Sequence, residues 1–175
     1  KIVLYAPTYR NPSAQVVLDA DRLLEFLGRT GETWRFLYRP HRYQTEQMRL
    51  QVHGKQVMDV RGYPDMQELL GAADLLITDY SSAIWDYSFL FRPCFLYVPD
   101  LEEYLEQTGF YVDIHEWPFE LSFTQSELEE QILAYQPQEA REKITKHHQD
   151  MGSRETGEAC KYVAERILDV CKEKL

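Results

Sequence analysis

Short apolar runs alternate with longer amphipathic stretches through the first hundred residues of the chain. The apolar runs are nearly continuous, which is typical of strands that are buried on both faces of a sheet. They predict strands at residues 2–6, 34–39, 56–60, 75–78 and 94–98. Apolar positions three and four residues apart predict helices at about residues 18–27, 43–52, 65–73 and 82–91. This alternation indicates a Rossmann-like α/β domain, with a parallel sheet and helices on both of its faces.

After Val98 we expect no further strands and a mostly helical region. Thr124 stands three residues before Glu127, a capping-box spacing that predicts a helix start. Pro137 suits the first turn of the next helix, and residues 157–174 predict a terminal amphipathic helix. Because no repeat or linker interrupts the chain, we expect residues 1–175 to form a single domain. The sequence opens in a strand-like run without a methionine or a signal peptide, so we expect it to be a piece of a longer protein.

The composition excludes several classes of protein. With 175 residues, of which 44% are hydrophobic and 13% aromatic, the chain is too apolar to be disordered. Its net charge of −10 argues against a sequence-independent nucleic-acid binder, which needs a basic face. No run approaches the roughly 20 apolar residues that span a bilayer. The three cysteines are widely spaced without a CxxC pair, so we expect a reducing compartment and neither a disulfide framework nor a zinc site.

The loops that follow the predicted strands are the candidate binding site, because ligands of such sheets bind beyond the carboxyl ends of the strands. Four of these loops are polar or basic: residues 7–11, 40–42, 61–64 and 79–82. Their basic side chains, in or beside three of the loops, are Arg10, Arg39, His41, Arg42 and Arg61. On one edge of a sheet they would form a cationic basin, which favours a small anionic ligand over a polymer.

Ser81 and Ser82 follow an apolar strand and open a predicted helix. Their hydroxyls and the free N–H groups of the first turn can bind an anion. The alternative is that Ser82 only caps the helix. Asp86 lies one turn further along the same face, and because a carboxylate repels phosphate, its natural partner is a hydroxyl of the ligand.

His41 lies just beyond the second predicted strand, where Pro40 lacks an N–H and holds its neighbour extended. A histidine there can donate a proton or a hydrogen bond to a leaving phosphate. The alternative is a surface histidine that only stabilises the loop. Thr8, at the end of the first strand, can offer a hydroxyl and an N–H to a nucleotide or phosphate, or serve only as a turn residue.

Several segments carry a resemblance to a known family. They read VLYAPTYR at 3–10, RPH at 39–41 and LITDYSSAIWDY at 76–87, and residues 100–104 and 109–113 extend them. Together they resemble the CDP-glycerol glycerophosphotransferases, which build teichoic-acid-like polymers of bacterial walls. The resemblance covers nearly the whole chain in the same order.

This resemblance implies the second half of a GT-B fold, in which two Rossmann-like halves face a cleft. In the family's reaction, a hydroxyl of a growing teichoic acid or glycerol-phosphate polymer attacks the glycerol-bearing phosphorus of CDP-glycerol, and CMP leaves. His41 resembles the catalytic histidine that stabilises the departing phosphate, and no metal or other cofactor is implied. The residues that match the family's contacts with CDP-glycerol are Pro7, Thr8, Arg39, Pro40, His41, Ser81, Ser82 and Asp86.

The family's other catalytic histidine belongs to a His-Gly motif in the first half, and His53-Gly54 lies in the wrong context for it. We therefore expect a missing N-terminal domain to supply that residue, and this chain to bind the donor with little or no turnover. The full-length protein is expected to be cytoplasmic and peripheral on the inner face of the cell membrane. Three alternatives stay open: a CDP-ribitol donor, a GT-B glycosyltransferase using a UDP- or GDP-sugar, and a non-catalytic nucleotide-binding module.

Overall fold

A six-stranded parallel sheet organises the first of two compact units, Lys1–Ile144, and the second unit is Thr145–Leu175. The computed structural model describes residues 1–10, 16–41, 43, 50–51 and 56–172. The strands, in chain order, are β1 (Ile2–Tyr5), β2 (Leu18–Asp19), β3 (Arg35–Tyr38), β4 (Leu50–Gln51), β5 (Val57–Asp59), β6 (Leu75–Thr78), β7 (Cys94–Tyr97) and β8 (Glu120–Ser122). The helices are α1 (Ala20–Gly28), α2 (Met66–Ala72), α3 (Ala83–Ser88), α4 (Leu101–Gln107), α5 (Gln125–Ala134), α6 (Pro137–Asp150) and α7 (Ala159–Lys172), with a 3₁₀ turn at Ile114–Glu116.

The strand order of the main sheet is β5-β3-β1-β6-β7-β8, and all of its neighbours are parallel. The chain therefore builds outward from β1 in one direction and then returns to build outward from β6 in the other. Tyr5 at the end of β1 lies between Tyr38 of β3 and Ile77 of β6. The crevice between β1 and β6 is thus the switch point of the sheet, where the strand order reverses and where such sheets bind ligands.

The two faces of the sheet bury two separate apolar cores, because successive side chains of a strand point to opposite faces. Val3 and Tyr5 of β1 belong to the core that α1 and α5 cover. Leu4 of β1 and Ala6 just beyond it belong to the core that α2, α3 and α4 cover. Burial on both faces explains why the strands read as continuous apolar runs, and it confirms the Rossmann-like architecture expected from the sequence.

Strand β8 contradicts the expectation that strands stop after Val98. It pairs in parallel with β7, and the backbone N–H of Val98 donates to the carbonyl of Ser122 at 2.8 Å. Its three residues, Glu120–Ser122, include an acid and a serine. This strand is defined by its pairing with β7 and not by an apolar run. Its three residues therefore show no hydrophobic pattern that would predict a strand.

The helix predicted at residues 43–52 is wrong at its end, where Leu50–Gln51 pairs with Leu18–Asp19 as a strand. Residues 44–49 and 52 of that prediction lie outside the described residues. The same pairing delays the start of α1 to Ala20, and Asp19 caps the helix by accepting a hydrogen bond from the Arg22 N–H at 2.9 Å. Local periodicity cannot report such pairings between distant segments.

The predicted helix starts in the last third of the chain are confirmed. Thr124 and Glu127 form the capping box of α5, and Pro137 is the first residue of α6. The terminal helix is α7, on which Tyr162, Val163 and Ile167 are exposed. Within the part of the chain that the structure describes, no helix is long and apolar enough to span a membrane.

Candidate functional site

The carboxyl ends of the six parallel strands share one edge of the sheet, called here the carboxyl edge. The loop with Thr8 follows β1, the loop with His41 follows β3, and the loop with Ser81 follows β6. These three strands are direct neighbours, in the order β3-β1-β6. The fold therefore brings the predicted site loops together around the switch point.

Hydrogen bonds fix the backbone of Thr8, whereas its hydroxyl has no partner in the described part of the chain. Its N–H donates to both carboxylate oxygens of Asp79, at 3.0 and 2.9 Å. The expectation that this N–H serves a ligand is therefore wrong, because a neighbouring loop already uses it. The Thr8 Oγ1 atom is buried and has no hydrogen-bond partner among the described residues. A buried hydroxyl without a hydrogen bond costs about 1–3 kcal/mol. The Thr8 hydroxyl is therefore a candidate to form a hydrogen bond with a ligand.

Arg10 is buried between two carboxylates and does not line an open cationic basin. It is 5% exposed, and its Nη1 pairs with Asp79, which is 1% exposed. Its Nε and Nη2 donate to the two oxygens of Asp100, at 2.6 and 3.1 Å. The expectation for Arg10 is wrong because acids from the same edge, at the ends of β6 and β7, surround its guanidinium.

Tyr80 completes this buried cluster. Its hydroxyl donates to Asp100 Oδ1 at 2.8 Å, and the Arg10 guanidinium lies 5.3 Å from the centre of its ring. Burial opposes ionisation of Asp100, but its hydrogen bonds and charge interaction with Arg10 prevail and lower its pKa. Burial, reinforced by the Asp100 carboxylate, raises the pKa of Tyr80. The cluster therefore holds one guanidinium, two carboxylates and a neutral phenol.

Two other arginines of the predicted cationic basin bond to backbone carbonyls or to a carboxylate of the protein. Arg39 Nη1 donates to the carbonyls of Val60 at 2.7 Å and Arg61 at 3.3 Å, and also to the carbonyl of Tyr63. It thereby ties the loop after β5 to the end of β3. Arg61 pairs with Asp59 at 2.8 Å, and Arg42 lies outside the described residues. The basin thus differs from its prediction, because the loops carry acids as well as bases.

His41 is exposed and lies beside two exposed tyrosines. Its ring centre is 5.9 Å from that of Tyr9 and 5.4 Å from that of Tyr43. The backbone N–H of Tyr43 donates to His41 Nδ1 at 3.3 Å. Because Nδ1 accepts this bond, the neutral ring carries its proton on Nε2, which leaves Nε2–H as a donor for a ligand. Sequence reasoning missed both tyrosines, although Tyr43 stands only two residues from the histidine.

Ser82 occupies the N-cap position of α3, but its side chain makes no capping hydrogen bond. The serine side chain that bonds to the first turn of α3 is instead that of Ser81, whose Oγ accepts from the N–H of Ala83 at 3.3 Å. The alternative that Ser82 serves only as a cap is therefore wrong. Because α3 has six residues, fewer than predicted, its dipole is small and any anion contact here depends on the hydroxyls.

The remaining predicted contacts differ in exposure. Asp86 is exposed on α3, and one of its oxygens accepts from Gln67 Nε2 of α2 at 2.9 Å. Pro7 and Pro40 are buried, so they set the course of the backbone and offer little surface. Over the described ranges, no three His, Cys, Asp or Glu side chains lie close enough together to hold a metal ion.

Comparison with known proteins identifies a family that this chain matches. The family model described as CDP-glycerol:poly(glycerophosphate) glycerophosphotransferase matches residues 1–169. A teichoic acid poly(glycerol phosphate) polymerase of Bacillus spizizenii is 33% identical, over 96% of this chain and 44% of its own. A teichoic acid ribitol-phosphate primase of the same organism is 36% identical, over 69% of this chain and 30% of its own.

A solved structure of a histidine variant of the wall teichoic acid polymerase TagF, soaked with CDPG, is similar in fold. It matches 99% of this chain and 42% of its own, with a TM-score of 0.76 and 31% identity. The chain thus spans less than half the length of these relatives, and its Rossmann-like architecture is the one expected for a half of a GT-B fold. Since the family model covers nearly all of it, this chain belongs to the CDP-glycerol:poly(glycerophosphate) glycerophosphotransferase family.

Proposed function

We propose that this chain is the donor-binding half of an enzyme that transfers glycerol phosphate from CDP-glycerol to a growing teichoic acid polymer. The observation that carries the proposal is the order β3-β1-β6, which gathers the loops of His41, Thr8 and Ser82 around the switch point. Each of these loops offers a group that can donate a hydrogen bond to a phosphate: the Nε2–H of His41 and the two hydroxyls. The family and the TagF likeness support the same donor.

In the proposed reaction, a hydroxyl oxygen of the acceptor polymer forms a bond to the glycerol-bearing phosphorus. The bond between that phosphorus and the bridging oxygen breaks, and CMP leaves with the bonding electrons. The Nε2–H of His41 stabilises the negative charge that develops on the leaving phosphate. Such transfer depends mainly on positioning and charge stabilisation, and one well-placed donor contributes about 10²–10³-fold in rate.

Other parts of the longer protein would complete the reaction. We propose that a further N-terminal domain supplies the base that takes the proton from the acceptor hydroxyl, because the family's His-Gly motif has no counterpart in this chain. We also propose that the longer protein acts in the cytoplasm, at the inner face of the membrane. With a net charge of −10, this half as a whole is repelled by an anionic leaflet, so we propose that attachment comes from elsewhere in the longer protein.

Assaying CMP release by the full-length protein tests the role of His41. We expect His41→Ala to lower kcat about 100-fold or more, with donor affinity changed only a few-fold, because the lost hydrogen bond strengthens in the transition state. His148→Ala in α6 is the matched control and should leave the rate unchanged. Wild-type turnover by His41→Ala would remove His41 from the mechanism.

A CDP-ribitol donor is a second candidate, since a ribitol-phosphate primase is 36% identical to this chain. The two donors share the cytidine and diphosphate and differ in the alcohol. Separate calorimetric titrations with CDP-glycerol and with CDP-ribitol distinguish them, because both donors would release the same CMP in the turnover assay. At least tenfold tighter binding of one donor, which is about 1.4 kcal/mol, would identify the substrate.

A further inference from the structure

The buried cluster of Arg10, Asp79 and Asp100 joins the ends of three strands. Arg10 follows β1, Asp79 follows β6 and Asp100 follows β7. Arg10 is 5% exposed, and two of its nitrogens bond to Asp100 while a third pairs with Asp79. Each of these three side chains already has hydrogen-bond partners within the cluster. None of them therefore needs to contact CDP-glycerol.

Within this cluster, both backbone polar groups of Thr8 are held. Its N–H donates to both oxygens of Asp79, and its carbonyl accepts from Arg10 Nη1 at 3.3 Å. Its side chain differs, since Oγ1 has no partner in the described part of the chain. Thr8 is half-buried as a residue, and rotation about its χ1 bond exchanges the hydroxyl with the methyl group. The cluster therefore fixes everything about Thr8 except the group that can serve a ligand.

The charge of the cluster also matters at this place. The carboxylates of buried Asp79 and partly buried Asp100 lie beside the switch point and repel a diphosphate, and Arg10 offsets one of their charges. A buried ion cluster is weak evidence for stability, because well-packed apolar residues often stabilise a fold as well or better. Stability alone therefore does not explain the cluster, and its position next to Thr8 points to a role in ligand binding.

We propose that Arg10 is a positioning residue for the donor nucleotide, acting through Thr8. With Asp79 it fixes the Thr8 backbone so that the hydroxyl bonds to a phosphate oxygen, and it offsets the carboxylates that would repel the phosphates. This inference rests on the proposed function, in which CDP-glycerol binds at the switch point. It adds to that function a residue that makes no contact with the donor itself.

A double-mutant cycle between Arg10→Gln and Thr8→Val, read as the Kd for CDP-glycerol by calorimetry, tests the proposal. Thr8→Val removes the hydroxyl and keeps the shape of the side chain. We expect Arg10→Gln to weaken binding about tenfold when Thr8 is present. When Val replaces Thr8, only the loss of the Arg10 charge remains, and the effect should be no more than about threefold. This non-additivity is the signature of two residues that act as one unit, and a purely structural role for Arg10 would not produce it.

Arg92→Gln is the matched control, because Arg92 also donates to backbone carbonyls, those of Gly71 and Ala73, at 2.8 and 2.7 Å. Arg92 precedes β7 and so lies at the opposite edge of the sheet, and its variant should bind CDP-glycerol as the wild type does. If Arg10→Gln does not fold, Arg10→Lys replaces it in the cycle, since lysine keeps the charge and loses the forked geometry. Equal effects of the Arg10 variant in both Thr8 backgrounds, or no effect, would overturn the inference while wild-type binding upholds the proposed function. Absence of wild-type binding would instead overturn the proposed function.

Discussion

Asp79 offers the sharpest test of the site's architecture, because its carboxylate accepts from the Thr8 N–H and pairs with Arg10 while being 1% exposed. In Asp79→Asn, the amide oxygen can still accept from Thr8, but the charge that faces Arg10 is lost. Breaking a buried ion pair costs about 3–5 kcal/mol. Arg10 keeps Asp100 as a partner, so we expect a loss of about 2–3 kcal/mol. At 2–4 °C per kcal/mol, the melting temperature should fall by about 4–12 °C.

Urea unfolding of the wild type and Asp79→Asn measures this loss as a change in the free energy of unfolding. Glu120→Gln is the matched control, because it removes a carboxylate that pairs with Lys143 at 2.7 Å while 57% exposed. Exposed pairs contribute at most about 1 kcal/mol. If Asp79→Asn costs no more than Glu120→Gln, the cluster of Arg10, Asp79 and Asp100 does not hold the loops of the carboxyl edge together.

Two further predictions concern Asp100 and Ser82. Because the folded state lowers the pKa of Asp100, this residue contributes stability that is present above its unfolded pKa of about 3.9 and is lost as the pH falls through the lower folded value. Denaturant unfolding between about pH 5 and pH 2 should therefore show a shallower acid-induced loss in Asp100→Asn than in the wild type, and identical pH profiles would contradict the lowered pKa. Ser82→Ala should leave the free energy of unfolding within about 0.5 kcal/mol, since the side chain makes no capping bond. The same variant should weaken CDP-glycerol binding several-fold in calorimetry, and unchanged affinity would remove Ser82 from the site.

The sequence predicted most strands of the sheet because burial on both faces requires a continuous run of apolar residues, which is visible locally. The strand predicted at residues 75–78 is β6 itself, and the strand predicted at 94–98 exceeds β7 by one residue. Pairing alone defines the short strands Glu120–Ser122 and Leu50–Gln51, and neither contains such an apolar run. The expected position of the site loops at one edge followed from chain order, since strands that alternate with helices pair in parallel and share a carboxyl edge.

The residue pattern alone predicted the candidate site as a set of loops, and the individual donor contacts came only from the family resemblance. Sequence position brings Thr8, His41 and Ser82 to one edge, but it does not show which groups are already bonded within the protein. Arg10 illustrates this: as a basic residue in a strand-end loop it suggested a ligand contact, yet Asp79 and Asp100, 69 and 90 residues away, take up its guanidinium. Contacts over such separations depend on the packing of whole elements, which one sequence does not report.

Calorimetric titration of this chain with CDP-glycerol, beside CDP-ribitol and UDP-glucose, tests whether the chain holds the donor site. We expect saturable binding of a CDP-alcohol at one site, weaker binding in Thr8→Val, and no binding of UDP-glucose. Preference for UDP-glucose would make the chain half of a sugar transferase. Absence of CDP-glycerol and CDP-ribitol binding would contradict the claim that this chain holds the donor site.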